Sequence, residues 1–293
     1  MQKTFLAAVG LRSTPGATSW AQPHRWLMLI LGVLILIHLT LVARFRGVGQ
    51  LGISVLCWSA AIHLLWKRVL SLNLQSGLFA TLLGLALVLL VLSNSVHFVK
   101  GDFIHLAPIL TGIGVALMAS GFRGVRQYWR ELVILFFLGV PRAIIPRICD
   151  ISPVTARFSG MLLWYSGFDV SVTGIHVAIP GGSVNVDGGC DGMEAITYLL
   201  CLAVLFLVLF PTTRLEKVIA PMIAISAAFV ANAVRVAVLA LISAPTKRRV
   251  FDFWHEGQGS LLWTVFPVLV FGAYCWFLLR KRKLSGDART MQA

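Results

Sequence analysis

Three residues in the second half of the chain have side chains that could do chemistry together: Cys190, Arg235 and His255. Cys190 lies in Gly188-Gly-Cys-Asp-Gly192, directly before an apolar run that begins at Met193. The spacing is G-x-C-x-G, the cysteine form of a nucleophile elbow. Glycines let the backbone turn tightly, and a helix N-terminus favours negative charge, so we expect an accessible thiol with thiolate character. An incidental cysteine is the alternative, since Gly-rich loops often precede helices.

An arginine inside an apolar run is the second candidate. Arginine at the centre of a membrane helix costs about 2.5 to 3.5 kcal/mol on insertion scales, so it needs a reason. Arg235 lies in Asn232-Ala-Val-Arg235, with Asn232 about one turn away on the same helix face. We interpret Arg235 as an oxyanion donor. In the structural alternative it extends to the outer interface or pairs with a carboxylate such as Glu194.

The third candidate is a loop histidine in His255-Glu-Gly-Gln-Gly259. The second histidine of H-E-x-x-H is missing, so we expect no zinc site and no other metal. A histidine in a loop is more often a solvated bystander. A thiol, a proton shuttle and an oxyanion donor are, however, the groups that acyl transfer requires.

The composition requires a membrane around these residues. Hydrophobic residues make up 58% of the chain, charged residues 12%, and the mean hydropathy is +0.87. We therefore predict an all-α polytopic membrane protein with about eight transmembrane helices. The fifth run contains Pro141 and Pro146 and is expected to be kinked or re-entrant. The predicted spans are Trp26 to Ala43, Leu51 to Trp66, Gly77 to Ser93, Phe103 to Phe122, Glu131 to Ile148, Met193 to Phe210, Val218 to Ser243 and Ser260 to Leu279.

The basic residues predict the orientation. The formal net charge is +14, but the lysines and arginines mostly form short clusters between apolar runs, which favours topology signals over nucleic-acid binding. Most of the 25 fall inside if both termini are cytoplasmic, although Lys247 to Arg249 argue the other way. The predicted parts are a cytoplasmic arm (1–25), N-terminal transmembrane helices (26–148), an extracytoplasmic segment (149–192), catalytic transmembrane helices (193–280) and a basic cytoplasmic tail (281–293).

The extracytoplasmic segment has the only strand-like pattern. Val170 to Ile179 alternates and is rich in β-branched residues, Pro180-Gly-Gly182 indicates a turn, and Ser183 to Asp187 alternates again. We predict a small β-hairpin before the sixth span. Val154 to Tyr165 has apolar residues at helical spacing and is expected to form an amphipathic helix on the membrane surface.

These motifs together resemble the exosortase and archaeosortase family, and within it most closely the cyanobacterial type. They are Cys190 followed by Gly192, Asn232-x-x-Arg235, and His255-Glu256-x-x-Gly259, in this order and in a multi-span setting. The resemblance implies a cysteine peptidase or transpeptidase of the bacterial inner membrane, with its site on the outer face. It also implies that Cys190, Arg235 and His255 process C-terminal sorting signals of exported proteins: a PEP-like motif, a membrane helix and a basic tail.

The residues around this catalytic set are expected to bind substrate or support it: Asn232, Asp191, Glu256 and Gly192. The resemblance implies a small Ser or Ala after the cysteine, whereas Asp191 stands here. Because a carboxylate beside the thiol opposes thiolate formation, Asp191 should face away or pair with Arg235 or His255.

Other interpretations compete with this one. A transporter or channel would use Pro141, Pro146, Arg142 and Arg235 in a broken-helix substrate path. A Cys149–Cys190 disulfide would remove the nucleophile. A haem or metal protein would need the histidines at 38, 63, 97 and 105, but His38 and His63 fall at opposite ends of adjacent spans. We expect no cofactor, and we expect His176 on the hairpin surface.

Overall fold

The computed structural model describes residues 21–97 and 102–290. They form the helices α1 (Ala21–Phe45), α2 (Val48–Arg68), α3 (Leu78–His97), α4 (Phe103–Gly124), α5 (Trp129–Ile148), α6 (Ser152–Tyr165), α7 (Met193–Leu209), α8 (Glu216–Ile242), α9 (Arg248–His255) and α10 (Ser260–Thr290). The strands are β1 (Ser171–Thr173), β2 (His176–Ile179) and β3 (Gly182–Asn185). Most of the predicted arm, residues 1–20, and the end of the predicted tail, 291–293, lie outside the described residues. Among the described residues, α1 begins at Ala21 and α10 continues to Thr290.

The apolar runs form helices because a backbone in hydrocarbon must satisfy its hydrogen bonds within its own segment. Within the described ranges, six stretches are long and apolar enough to cross a membrane: Trp26–Phe45, Val48–Ser71, Leu78–Ser95, Phe103–Ile148, Glu216–Ile242 and Ser260–Arg282. The stretch Phe103–Ile148 contains both α4 and α5, and α7 is apolar but shorter, at 17 residues. A mostly helical, multi-pass membrane protein is therefore established, whereas the predicted count of eight spans is not confirmed.

The fifth predicted span corresponds to α5, and the structure shows no re-entrant break in it. α5 is one continuous helix that contains both Pro141 and Pro146. It packs closely on α4, where a Cβ added at Gly139 would lie 1.7 Å from the carbonyl oxygen of His105. Such packing against neighbouring helices is what lets a membrane helix tolerate proline.

The segment between α5 and α7 forms a three-stranded antiparallel sheet in the order β1-β2-β3, where the sequence predicted a two-stranded hairpin. The extra turn is at Gly174-Ile175, where Gly174 adopts φ +63°. It divides the predicted strand from Val170 to Ile179 into β1 and β2.

α6 and the sheet rest on α8. Val177, Val184 and Val186 from the sheet are buried in one cluster with Leu163 of α6 and with residues near the end of α8, Val236, Leu239 and Ala240. The Ser159 hydroxyl also donates to the Ala233 carbonyl, at 3.0 Å. The predicted helix is present in α6, and its inner face is packed on α8 while Val154, Met161 and Trp164 are exposed.

Candidate active site

The loop that carries Cys190, residues 187–192, is a tight turn organised by Asp187, and we call it the cysteine loop. The Asp187 carbonyl accepts from the backbone N–H groups of Cys190 and Asp191, both at 2.8 Å. The Asp187 carboxylate accepts from the N–H of Gly189 at 3.0 Å. This role of Asp187 was not predicted from the sequence, although Asp before Gly-Gly is a known turn signal.

A buried asparagine of α8 fixes the cysteine loop from below. The Asn232 side-chain amide donates to the Cys190 carbonyl at 2.7 Å. Gly192 has φ +93°, and a Cβ at this position would lie 2.7 Å from Asn232 Nδ2. Glycine is therefore required at position 192 for two reasons, the left-handed backbone conformation and the close approach of the Asn232 side chain.

Asp191 faces away from the thiol. Its carboxylate accepts from the N–H of Met193 at 2.9 Å at the start of α7, and its carbonyl accepts from the Thr155 hydroxyl of α6 at 2.8 Å. Burial raises the pKa of the Asp191 carboxyl above its usual range. The sequence left open whether Asp191 faces away from the thiol or pairs with Arg235 or His255. In the structure it faces away and pairs with neither residue. The support from Thr155 was not predicted.

His255 touches Cys190. It is the last residue of α9, and its Nε2 lies 3.0 Å from the Cys190 Sγ, although the two residues are 65 positions apart in the chain. The Phe251 ring stacks on the imidazole, with ring centroids 5.1 Å apart and planes at 23°. A Glu256 carboxylate oxygen lies 3.6 Å from His255 Nδ1, and this carboxylate is largely exposed. The contact between Sγ and Nε2 is short enough for direct proton transfer.

Arg235 reaches the same place from α8. Its Nη2 donates to the His255 carbonyl at 2.8 Å, and its Nε is buried without a hydrogen-bond partner. The carboxylate considered as its structural partner, Glu194, instead lies 3.2 Å from Arg142 Nη2 and accepts from the Tyr198 hydroxyl. Arg235 therefore has guanidinium N–H groups left for a ligand.

Two chambers flank the cysteine loop. The first, which we call the cysteine chamber, has a volume of about 680 Å³ and is lined by Ser183 to Asn185 of β3, by the cysteine loop as far as Cys190, and by Arg235, Phe251, His255 and Glu256. The second chamber, of about 640 Å³, lies on the other side of the loop. Charged residues line it: Arg46, Asp102, Arg142, Arg147, Asp150, Asp187 and Asp191. Asp187 and Gly188 belong to both walls.

Electrostatics keep the Cys190 thiol neutral at rest. Burial raises the pKa of the thiol above its ordinary value, and the carboxylates of Asp187, Asp191 and Glu256 raise it further. Arg235 acts against this increase without cancelling it. Desolvation therefore opposes the thiolate character that the helix N-terminus predicts.

The described residues do not form the arrangements that the alternative interpretations require. α5 and α8 are uninterrupted, and Arg142 and Arg235 line different chambers, unlike the broken-helix path of a transporter. Cys149 and Cys190 are both free thiols, and Cys149 is exposed. His176 lies on the sheet, where its Nδ1 contacts the Asn185 side-chain oxygen at 2.7 Å. Within residues 21–97 and 102–290, no three potential metal ligands come together.

Comparison with known families gives one match over most of the chain. The profile of the transmembrane exosortases (Exosortase_EpsH) matches residues 48–275, and the chain belongs to this family. The match begins at α2, so it includes early spans that the motifs alone did not reach. No curated protein and no solved structure matches the chain.

The neutral thiol predicts the pH dependence of Cys190 alkylation. We expect iodoacetamide to modify Cys190 slowly at neutral pH and ever faster beyond pH 9, because a raised pKa leaves less thiolate at each lower pH. Mass spectrometry of the Cys190 peptide measures the rate, with free cysteine, whose pKa is about 8.5, as the reference. Arg235→Gln should move the profile to still higher pH. Fast modification that levels off below pH 7 would contradict the neutral thiol.

Proposed function

We propose that this protein is a membrane-embedded cysteine peptidase or transpeptidase that cleaves C-terminal sorting signals of exported proteins. The observation that carries the proposal is the 3.0 Å contact between Cys190 Sγ and His255 Nε2, in a chamber that Arg235 also lines. A nucleophile, a base and a cationic donor around one cavity are the parts that acyl transfer needs. Membership of the exosortase family is consistent with this reaction.

In the first step, Cys190 Sγ attacks the carbonyl carbon of the scissile peptide bond while its proton moves to His255 Nε2. The resting thiol is neutral, so proton transfer accompanies the attack, and His255 acts as a general base. The oxyanion that forms is stabilised by the guanidinium N–H groups of Arg235. Glu256, 3.6 Å from Nδ1, stabilises the imidazolium that appears in this step.

In the second step, the C–N bond breaks and His255 returns its proton to the leaving amine. The acyl group remains on Cys190 as a thioester. Water, an acceptor amine or a lipid then attacks the thioester carbon while His255 takes its proton, the C–S bond breaks, and His255 returns this proton to the sulfur, which restores the neutral thiol. The Phe251 ring keeps the imidazole in one orientation through both proton transfers.

The position of the site supports a membrane-tethered protein as the substrate. The cysteine loop lies just before α7, at the end of the bundle where α5 ends and α10 begins. A substrate that is anchored by its own transmembrane helix has the residues next to that helix at the membrane surface, level with this end of the bundle. No nucleic acid and no cofactor take part in the proposed reaction.

The charge distribution supports a bacterial inner membrane with both termini cytoplasmic and the site outside. Basic residues are frequent at the opposite end of the bundle, as the positive-inside rule requires of a cytoplasmic face. Two ion pairs lie there, Arg68 with Glu131 at 2.6 Å and Arg282 with Glu216.

We predict that Cys149, exposed at the site end, reacts with a membrane-impermeant maleimide in intact spheroplasts. The reagent reaches only the outer face, and Cys149→Ala should remove the label. A cytoplasmic reporter fused to the C-terminus should be active in the same cells. Labelling of Cys149 only after the membrane is permeabilised would reverse the proposed orientation.

We predict that co-expression with candidate substrates reveals processing that depends on the proposed pair. Reporter proteins should carry a PEP-like motif, a membrane helix and a basic tail, and cleavage is read as a change in size on a gel. Cys190→Ala and His255→Gln should abolish it at normal membrane abundance, because the first removes the nucleophile and the second the proton acceptor. Cys149→Ala is the matched thiol control and should process normally. Processing by Cys190→Ala at the wild-type rate would end the thiol mechanism.

We predict that Arg235→Lys inserts normally but processes about 10² to 10³ times more slowly, the usual cost of losing an oxyanion donor. Lysine supplies a point charge and cannot reproduce the fork of the guanidinium. Arg142→Lys is the matched control, since it changes another half-buried arginine, in the second chamber, whose partner Glu194 can also pair with lysine. Wild-type rates for Arg235→Lys at equal abundance would remove Arg235 from the active site.

A further inference from the structure

One edge of the sheet opens into the cysteine chamber. The sheet has the order β1-β2-β3, so β3 pairs with β2 on one side only. Its residues Ser183, Val184 and Asn185 line the chamber together with Cys190. An edge strand presents backbone groups that can pair with another extended chain.

The register identifies the backbone groups that face outward. In an antiparallel pair, hydrogen-bonded and non-hydrogen-bonded positions alternate. The Val186 N–H donates to the Ile175 carbonyl at 2.9 Å, and the partners Val177–Val184 and Ile179–Gly182 follow at intervals of two. Ser183 and Asn185 are therefore at the alternate positions, with their N–H and C=O groups directed away from β2.

These outward groups are unpaired and held in place. Within residues 21–97 and 102–290, the backbone N–H and C=O of Ser183 and Asn185 have no hydrogen-bond partner. The side chains of Val184 and Val186 are buried against α8, so the strand cannot rotate. Two donors and two acceptors thus stand in a fixed row along the chamber wall.

The row leads to the nucleophile. β3 continues through Val186 into the Asp187 turn and Cys190, and all of this edge lies in the same chamber as the thiol. At the other end, Gly182 is closed off by the end of α8, where an added Cβ would lie 2.9 Å from the Ala240 carbonyl. The opposite wall is Phe251, His255 and Glu256.

We propose that an extended stretch of the substrate's C-terminal sorting signal binds as an added strand on the free edge of β3. The main chain of this stretch pairs with Ser183 and Asn185, and its scissile carbonyl lies at Cys190. This inference rests on the proposed function and names how that substrate is held. Strand addition takes its affinity from main-chain hydrogen bonds, so it accepts tails of varied sequence.

An extended peptide fits this edge better than other occupants. A row of alternating N–H and C=O groups matches a peptide backbone, whereas a lipid acyl chain offers no partner for either group. A chamber of about 680 Å³ is within the range of roughly 300 to 1,000 Å³ that suits small ligands, which fits a short peptide better than a folded second copy. A short stretch of extended chain meets both conditions.

The first arm of the test replaces a single outward N–H. Ser183→Pro removes that donor and blocks the edge but spares the ladder to β2, a placement that edge strands tolerate. Ser183→Ala keeps the donor and is the matched control. In the co-expression assay, Ser183→Pro should process at least about tenfold more slowly than Ser183→Ala, the cost of main-chain bonds lost in binding. Equal iodoacetamide rates at Cys190 in both variants show that the site has folded alike.

The second arm changes the substrate instead. Purified protein is given synthetic copies of a processed tail, each N-methylated at one residue, and kcat/KM is measured. Strand pairing predicts losses at every second residue and little change at those between.

Cys190-dependent processing without this alternation, and with Ser183→Pro equal to Ser183→Ala, overturns strand addition and leaves the proposed function intact. Absence of Cys190-dependent processing for every tail overturns both. A crosslinked dimer that Ser183→Pro abolishes, with processing unchanged, assigns the edge to a second copy and overturns strand addition.

Discussion

One turn of α8 holds both halves of the site together. Asn232 binds the backbone carbonyl of Cys190, and Arg235, three residues later, binds the backbone carbonyl of His255. The 3.0 Å distance between thiol and imidazole is therefore set by two bonds to one rigid helical turn, although the reacting residues are far apart in sequence. The packing of α8 against its neighbours holds this helical turn in place. Alanines at four-residue intervals are fully buried in this packing: Ala220, Ala224 and Ala228.

The electrostatics of the site oppose ionisation of the Cys190 thiol. Burial and three carboxylates disfavour the thiolate, and a single guanidinium opposes them. In the proposed reaction, the thiol touches His255 directly and loses its proton to it during the attack on the substrate carbonyl. A neutral thiol is also less readily oxidised than a thiolate. In the proposed mechanism, the close contact with His255 therefore provides the acceptor for the proton of the Cys190 thiol.

The sequence predicted the helical membrane fold and the convergence of Cys190, Arg235 and His255 at one end of the bundle, because polar motifs are conspicuous where they interrupt apolar runs. It missed the turn at Gly174, since β-branched residues continue on both sides of it and the alternation hides the break. It also missed Thr155 and Asp187, whose bonds to the cysteine loop are made by side chains to backbone groups and leave no periodic signal. The helix and glycine patterns that favour a thiolate carry no information on desolvation, which raises the pKa of the Cys190 thiol.

Asp191 stabilises the cysteine loop, but its charge also raises the pKa of the neighbouring Cys190 thiol. Its carboxylate satisfies the free N–H of Met193 at the start of α7, which a Ser hydroxyl could also do and an Ala could not. Its charge also raises the pKa of Cys190, but the carboxylate points into the second chamber, where Arg142 lowers the pKa of Asp191 itself. Burial acts the other way and raises the pKa of the Asp191 carboxyl. The side chain thus keeps its role in the loop while it points away from the thiol and toward the second chamber, and this orientation accommodates an acidic residue beside Cys190.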